Sequence, residues 1–291
     1  MLDFIQQLVS GIALGCVYGL IALGFVLIYK ATEVVNFAQG DLMMLGGFFV
    51  FTFIGLMGLD YWLGFLFAVC GMAVFGMATE RILVRPILGY PQFSIVMATI
   101  GLGYFLRSIA GMIWGTDDLR IETPFSAGVL KIGDLVLAHD KLSVIVATVI
   151  LCTVLYAFFN YTRVGTAMRA TSENMLAAYY MGIPVKRVVS LIWAISAAVA
   201  ACAGVLLAPI TFIHSNVGLV LGLKAFPAAV LGGFGSIPGA LVGGLIIGVI
   251  ESLAGFYLPQ GWKDIAPYIV LLVVLVVRPH GLFGPSMRKK V

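Results

Sequence analysis

Residues 4–28 read FIQQLVSGIALGCVYGLIALGFVLI, a run without a single Asp, Glu, Lys or Arg. The hydrocarbon core of a bilayer is about 30 Å thick and needs about 20 apolar residues of α-helix, so this run is long enough to cross it. Gly11, Gly15 and Gly19 recur every four residues and therefore share one helix face. Small residues at that spacing let a neighbouring helix approach closely, which is how membrane helices gain contact area without a hydrophobic drive. Packing within the subunit is the expectation for this face. The first seven residues, MLDFIQQ, lack Lys and Arg, so the basic start of a cleaved secretory signal is missing and the span is expected to be kept.

The same composition continues outward. The chain has 291 residues, 62% hydrophobic and 10% charged, whereas soluble domains carry roughly 25% charged residues. Its mean hydropathy is +1.10. Further spans are predicted near Leu42–Met57, Trp62–Thr79, Phe93–Trp114, Leu142–Phe159 and Val189–Ile213, followed by a broken region, Leu219–Tyr257, and a last span near Ile265–Val277. The fold class is thus all-α, a polytopic transmembrane bundle of about eight spans forming one domain over residues 1–291.

Two interruptions stand out. The approach Thr32–Asp41, TEVVNFAQGD, is only mildly polar and can enter the membrane as irregular backbone shielded by protein. Gly232–Gly239, GGFGSIPG, makes either a tight hairpin between two full spans or a re-entrant pair with its turn at membrane depth. Broken helices of that kind often hold transported solutes, so Gly232, Gly233 and Gly235, with Asn36 and Gln39 of the first interruption, are candidates to line a path. Gly239 and Gly243, and the offset pair Gly244 and Gly248, repeat the four-residue spacing.

Lys and Arg are enriched in cytoplasmic loops. One alternate set of loops holds eleven of them, Lys30, Arg81, Arg85, Arg163, Arg169, Lys186, Arg187, Arg278, Arg288, Lys289 and Lys290. The other holds four, Arg120, Lys131, Lys141 and Lys263. The expected topology puts the N-terminus outside and the C-terminus inside. The loop from Gly115 to Lys141 is then external, and its Asp117, Asp118, Glu122, Asp134 and Asp140 do not oppose that, because acidic residues hardly affect topology.

The longest polar-tolerant interval on the basic face is Thr162–Val188, TRVGTAMRATSENMLAAYYMGIPVKRV. Ser172 can cap a helix with Glu173 in its first turn, and Gly182 followed by Pro184 ends it, which gives a helix over Glu173–Met181. Such a helix is marginal alone and too short to cross a bilayer. It is either a docking element for a soluble partner or an interfacial helix resting on headgroups.

No Gly-Lys-Ser/Thr, HExxH or GxSxG occurs, so an ATP cradle or a hydrolytic site of those kinds is not expected in this chain. Cys16, Cys70, Cys152 and Cys202 sit in apolar segments, and His139, His214 and His280 are far apart, so no metal is expected. A formal charge of +4, dispersed, does not suggest nucleic acid. Arg107, Lys224 and Glu251 lie inside apolar segments, where a charge costs about 2.5–3.5 kcal/mol on insertion scales. Arg107 is expected to snorkel toward Asp117 or Asp118, and Lys224 to snorkel outward. Glu251 either hydrogen-bonds a neighbouring helix or lines a path.

With these residues in view, the chain resembles the permease subunits of bacterial ABC importers for branched-chain amino acids, specifically the smaller of the two permeases. Three blocks carry the resemblance: GIALGCVYGLIALGFVLIYKATEVVNFAQGDLMMLGGF at 11–48, the 162–188 interval, and KAFPAAVLGGFGSIPGALVGGLIIGVIE at 224–251. The resemblance implies a second homologous permease, two cytoplasmic ATPases that bind ATP and Mg, a periplasmic binding protein, and a place in the bacterial inner membrane. It also implies no cofactor in this chain. The 162–188 block resembles the family's coupling loop, which makes Arg169, Ser172, Glu173, Met175, Leu176, Ala177, Tyr179, Tyr180, Gly182 and Ile183 the candidate ATPase-coupling residues. Branched-chain amino acids are the implied cargo, while related permeases serve urea and short amides. The reading from another class is a stand-alone secondary transporter or channel, with the broken helix and Glu251 as its site.

Overall fold

The structure, a computed structural model, describes residues 2–121, 123–124, 128–132, 135–278 and 280–284. Glu122, Asp134, Arg288, Lys289 and Lys290 lie outside the described residues. The chain is helical nearly throughout. In order it forms α1 (Leu2–Thr32), α2 (Gln39–Val50, continued by a π-helical turn to Leu56), α3 (Tyr61–Thr79, continued by tighter and wider turns to Ile87) and α4 (Gln92–Trp114). A small antiparallel hairpin follows, β1 (Val129–Ile132) with β2 (Leu135–Ala138). The rest is α5 (His139–Tyr161), α6 (Arg163–Glu173), α7 (Met175–Tyr180), α8 (Val185–Leu207), α9 (Val217–Gly232), α10 (Ile237–Tyr257) and α11 (Trp262–Val277). Among the described residues, seven helical stretches are long and apolar enough to cross a membrane. The 16-residue α9 and α11 rise about 24 Å each, short of a full hydrocarbon core.

The first span is the axis of the bundle. Every residue from Gly15 to Ile28 is buried, so α1 is enclosed on all sides by protein. Its glycine face meets α10. A Cβ on Gly11 would fall 2.8 Å from Val249 Cα, one on Gly15 2.8 Å from Leu245 Cα, and one on Gly248 2.3 Å from Gly15 Cα. The two backbones touch directly and run antiparallel. The other glycine face of α10 grips α9: a Cβ on Gly243 would lie 2.1 Å from the Ala228 carbonyl, and one on Gly239 2.3 Å from that of Gly232.

Both interruptions take definite forms. Residues 33–38 fold back as irregular backbone, exposed at Glu33 and shielded by protein beyond it, with Val34, Asn36 and Ala38 buried. Asn36 Oδ1 accepts from the Ala38 N–H at 3.1 Å, and the Phe37 N–H donates to Thr99 Oγ1 at 3.2 Å, so the freed backbone groups are answered by protein. The 233–236 turn sits at the far end of α1, where Phe234 packs on Tyr29 with ring centroids 4.9 Å apart. The recessed end is the other one: Leu207 of α8, Leu221 of α9 and Leu14 of α1 line one cavity, so α9 begins beside the middle of α1. The region is a short helix followed by a full-length one, not a pair whose turn is buried at depth.

Gly15→Leu is expected to lower stability by at least about 1–3 kcal/mol, because the new side chain has only the α10 backbone to displace. Gly111→Ala, at a position with nothing within 4 Å, is expected to leave it unchanged. Thermal unfolding of the two variants in detergent measures the contrast.

Candidate functional site

The 162–188 interval folds as two helices. Thr162 caps α6, its Oγ1 accepting from the Gly165 N–H at 3.0 Å, and Gly165 lies against the backbone of Phe158 and Phe159. Met168 and Thr171 bury the inner face. Arg169 Nη1 donates to Asn160 Oδ1 at 3.1 Å, tying α6 back to α5. The chain then extends at Asn174 (φ −156°, ψ 101°), whose Oδ1 accepts from the Ala177 N–H at 2.9 Å.

Asn174 is therefore the cap, and the Ser172 assignment is corrected. Ser172 Oγ donates instead to the Arg169 carbonyl at 2.8 Å within the last turn of α6, and Glu173 is the final residue of that helix. Asn and Ser cap equally well, so composition could not choose between positions two residues apart. The other end is as expected. Gly182 has φ +81°, the Ile183 N–H donates to the Ala178 carbonyl at 3.0 Å, and Pro184 follows. This is the left-handed helix ending that glycine adopts without penalty.

Between these caps α7 has six residues, of which only Ala178 is buried. Leu176 is 66% exposed and Tyr180 77%, with Met175, Ala177, Tyr179 and Met181 beside them in the open. Ile183 is half-buried. A helix this short gains little from its own hydrogen bonds, and its shape is set by Asn174, Gly182 and the elements on either side. It presents a compact apolar and aromatic surface, the composition of an anchor seated in a partner's groove.

The intramembrane charges form two constellations that chain order does not reveal. Lys224 of α9, 6% exposed, places Nζ 2.8 Å from Glu251 Oε1 of α10 and 2.7 Å from Asp264 Oδ1 of α11. Tyr18 of α1 donates its hydroxyl to Glu251 Oε2 at 2.6 Å, which completes the coordination of a carboxylate only 1% exposed. Lys224 thus turns inward to partners and does not snorkel outward. Arg107 of α4 likewise meets Asp41 of α2, Nε to Oδ1 at 2.9 Å, and not Asp117 or Asp118. In both cases the cation turns to an oppositely charged group on a packed neighbour and not to the headgroup region.

Glu251, Lys224 and Tyr18 also line a cavity of about 580 Å³, together with Ser10, His214 and Lys141. Glu251 therefore both bonds its neighbours and borders that cavity. Asn36 and Gln39 are fully enclosed: Ser196 Oγ donates to Gln39 Oε1 at 3.1 Å, and Asn36 Nδ2 approaches the same oxygen at 3.4 Å. Gly232 and Gly233 join α9, α10 and the 280–284 segment, where the Leu282 N–H donates to the Leu231 carbonyl at 2.8 Å and the Phe283 N–H to that of Gly232 at 3.2 Å. Gly235 lies in the same turn. Tyr18, Asp41 and Asp264 had no signal in the linear pattern, because their partners come from other helices.

The family described as branched-chain amino acid transport system, permease component, matches residues 7–275. The chain is 35% identical over 308 residues to the high-affinity branched-chain amino acid transport system permease protein LivH of Escherichia coli (strain K12), covering 99% of this chain and 98% of that protein. It is 33% identical over 300 residues to the corresponding permease protein BraD of Pseudomonas aeruginosa, with 98% of each covered. Among solved structures, PsaBC from Streptococcus pneumoniae in complex with Fab superposes with a TM-score of 0.52 over 96% of this chain and 92% of that chain. At 15% identity that likeness is one of fold.

Removing one member of a buried pair leaves the other uncompensated, a loss of about 3–5 kcal/mol. Lys224→Met is expected to destabilise by that amount. Asp264→Asn, at the solvated end of the same cluster, is expected to cost under about 1 kcal/mol. Melting temperatures in detergent distinguish the two.

Proposed function

This chain belongs to the permease components of branched-chain amino acid transport systems, and from that membership we infer that it forms half of the membrane path of an ABC importer for branched-chain and related hydrophobic amino acids. The near full-length identity with LivH carries the reading. A second, homologous permease completes the path. Two ATPases bind ATP and Mg on the cytoplasmic side, and a periplasmic binding protein delivers the amino acid from outside. The chain lies in the bacterial inner membrane with its N-terminus outside, as the eleven-to-four distribution of Lys and Arg supports. Residues 1–291 act as one permease domain, with 162–188 as its coupling loop.

In this reading α7 seats in a groove of the ATPase, with Leu176, Tyr179 and Tyr180 as its anchors and Glu173 at the rim. The connection from α7 into the membrane is short. Gly182, Ile183 and Pro184 lead straight into α8, whose inner residues pack on α1, α2 and α3. Movement of α7 with the closing ATPases is therefore passed to a long rigid helix, and the permease pair alternates between inward-open and outward-open states. Glu251 and Lys224 border the cavity through which cargo passes on the outer side.

The test is reconstitution of the chain with its partner permease, ATPases and binding protein in proteoliposomes. Leucine uptake is expected to require ATP and to stop when the ATPases cannot bind nucleotide. Uptake driven by an ion gradient with this chain alone would overturn the reading.

Leu176→Asp is expected to leave the fold intact, since the side chain is exposed, and to lower ATPase capture in affinity purification by at least about tenfold, the loss typical of a central anchor. Gly182→Val is expected to weaken capture as well, through the strain of a β-branched residue at positive φ.

A further inference from the structure

A second cavity, of about 250 Å³, lies between α1, α2, α4 and α9. Its size is just below the usual 300–1,000 Å³ range of small-molecule sites. One end is aromatic and aliphatic: Phe226 lies 6.1 Å from Phe25 and 5.6 Å from Phe37 between ring centroids, and Leu219 closes the wall. The other end holds Asp41 and Arg107, both lining the space.

This ion pair is unusually incomplete for its depth. Asp41 is 3% exposed at its side chain, yet its Oδ1, although 2.9 Å from Arg107 Nε, accepts no aligned hydrogen bond. The Nε proton is directed to the Gly103 carbonyl at 3.3 Å instead. The guanidinium lies over the Tyr104 ring, 4.3 Å from its centroid, and both Nη nitrogens lack a hydrogen-bond partner among the described residues. A buried carboxylate with an unused oxygen, beside a guanidinium 11% exposed and both facing one largely apolar cavity, is costly as mere structure. They match the two charged ends of a zwitterion. An intramembrane ionisable group facing a cavity is a functional-site candidate by default, substrate pathways among the roles it marks.

We propose that Asp41 and Arg107 form an intramembrane subsite for an α-amino acid with a branched aliphatic side chain. The Arg107 Nη groups take the α-carboxylate, as a planar fork suited to it. Asp41 takes the α-ammonium, and the side chain enters the pocket of Phe25, Phe37, Phe226 and Leu219. The cavity opens between α4 and α9, where Tyr104 and Leu223 are exposed. That is a face a second permease can cover, so the subsite borders the path between the two subunits. The helix break at 33–38 is what allows this arrangement. It starts α2 part-way along α1, with Gln39 against Gly24, and so delivers Asp41 in the first helical turn at that depth.

The proposal rests on the reading of the chain as an amino-acid permease, and one reconstitution tests both separately. The complete importer, with unaltered binding protein, is assayed for uptake of radiolabelled leucine and valine. Leu219→Phe, which narrows the apolar end, is expected to lower leucine uptake relative to valine by about tenfold, the discrimination a methylene-scale change gives in a hydrophobic pocket. Arg107→Gln is expected to lower the leucine moved per ATP hydrolysed by at least about tenfold, because it leaves a carboxylate unpaired. If the unaltered complex moves neither amino acid, the functional reading fails. If it moves both and Leu219→Phe leaves their ratio unchanged, the subsite fails alone. Wild-type rate and selectivity in the Asp41→Arg/Arg107→Asp double variant would also overturn it, since a reversed pair preserves a structural bridge and reverses the polarity offered to the ligand.

Discussion

The rest of the structure depends on the direct contact between the backbones of α1 and α10. Glycine at Gly11 and Gly15 on one side and Gly244 and Gly248 on the other brings the two backbones together at the seam. Lipid tails are as apolar as leucine, so burial alone does not drive membrane helices together; close packing and hydrogen bonding must. Once α10 is fixed against the enclosed first helix, its second glycine face fixes α9, with Gly243 against Ala228. From that contact Lys224 is one turn along α9 and Glu251 two turns along α10, a gap that a lysine side chain spans. The charged cluster is thus a consequence of the glycine register, and Tyr18, one turn from Gly15 on α1, joins it for the same reason.

How much of this is readable from the chain depends on whether the cause is local. The first five spans, the glycine faces and the left-handed ending at Gly182 follow from spacing and from one residue's stereochemistry, and the structure has them close to where the pattern puts them, whereas the span expected over Val189–Ile213 stops at Leu207 and the last is a short helix. The cap at Asn174 rather than Ser172 turns on two residues of equal aptitude, decided by where α6 stops packing on α5. Arg107 and Lys224 were placed at the membrane edge because snorkelling is what a lone cation does; each has a carboxylate on a helix that is remote in sequence. The recessed start of α9 is similarly invisible, since its 16 apolar residues look like part of one long hydrophobic region.

The two broken elements divide the work between them. The break at 33–38, exposed at Glu33, is held by protein from Val34 on, through Asn36, Thr99 and Ser196. The break at 208–216, between α8 and α9, is bordered by the larger cavity, with Ile210, Thr211 and His214 on its wall. Irregular backbone within a membrane is tolerated only against protein or against water, and this chain uses both solutions.

That difference bears on how force travels. From α7 the chain passes into α8, whose small residues let it lie directly on α2: a Cβ on Gly46 would fall 2.4 Å from Ala201 Cα, and one on Gly204 2.2 Å from the Met43 carbonyl. Helices in such contact cannot slide independently, because each backbone sits in the other's groove. A displacement applied at the exposed α7 therefore moves α8 and α2 together. Asp41 is carried with α2, whereas its ion-pair partner Arg107 belongs to α4, at the same end of the smaller cavity. Relative movement of these two helices changes the separation of the two charges, and with it the grip on anything held between them. In the proposed coupling, α7 and the ion pair are in that sense the two ends of one lever.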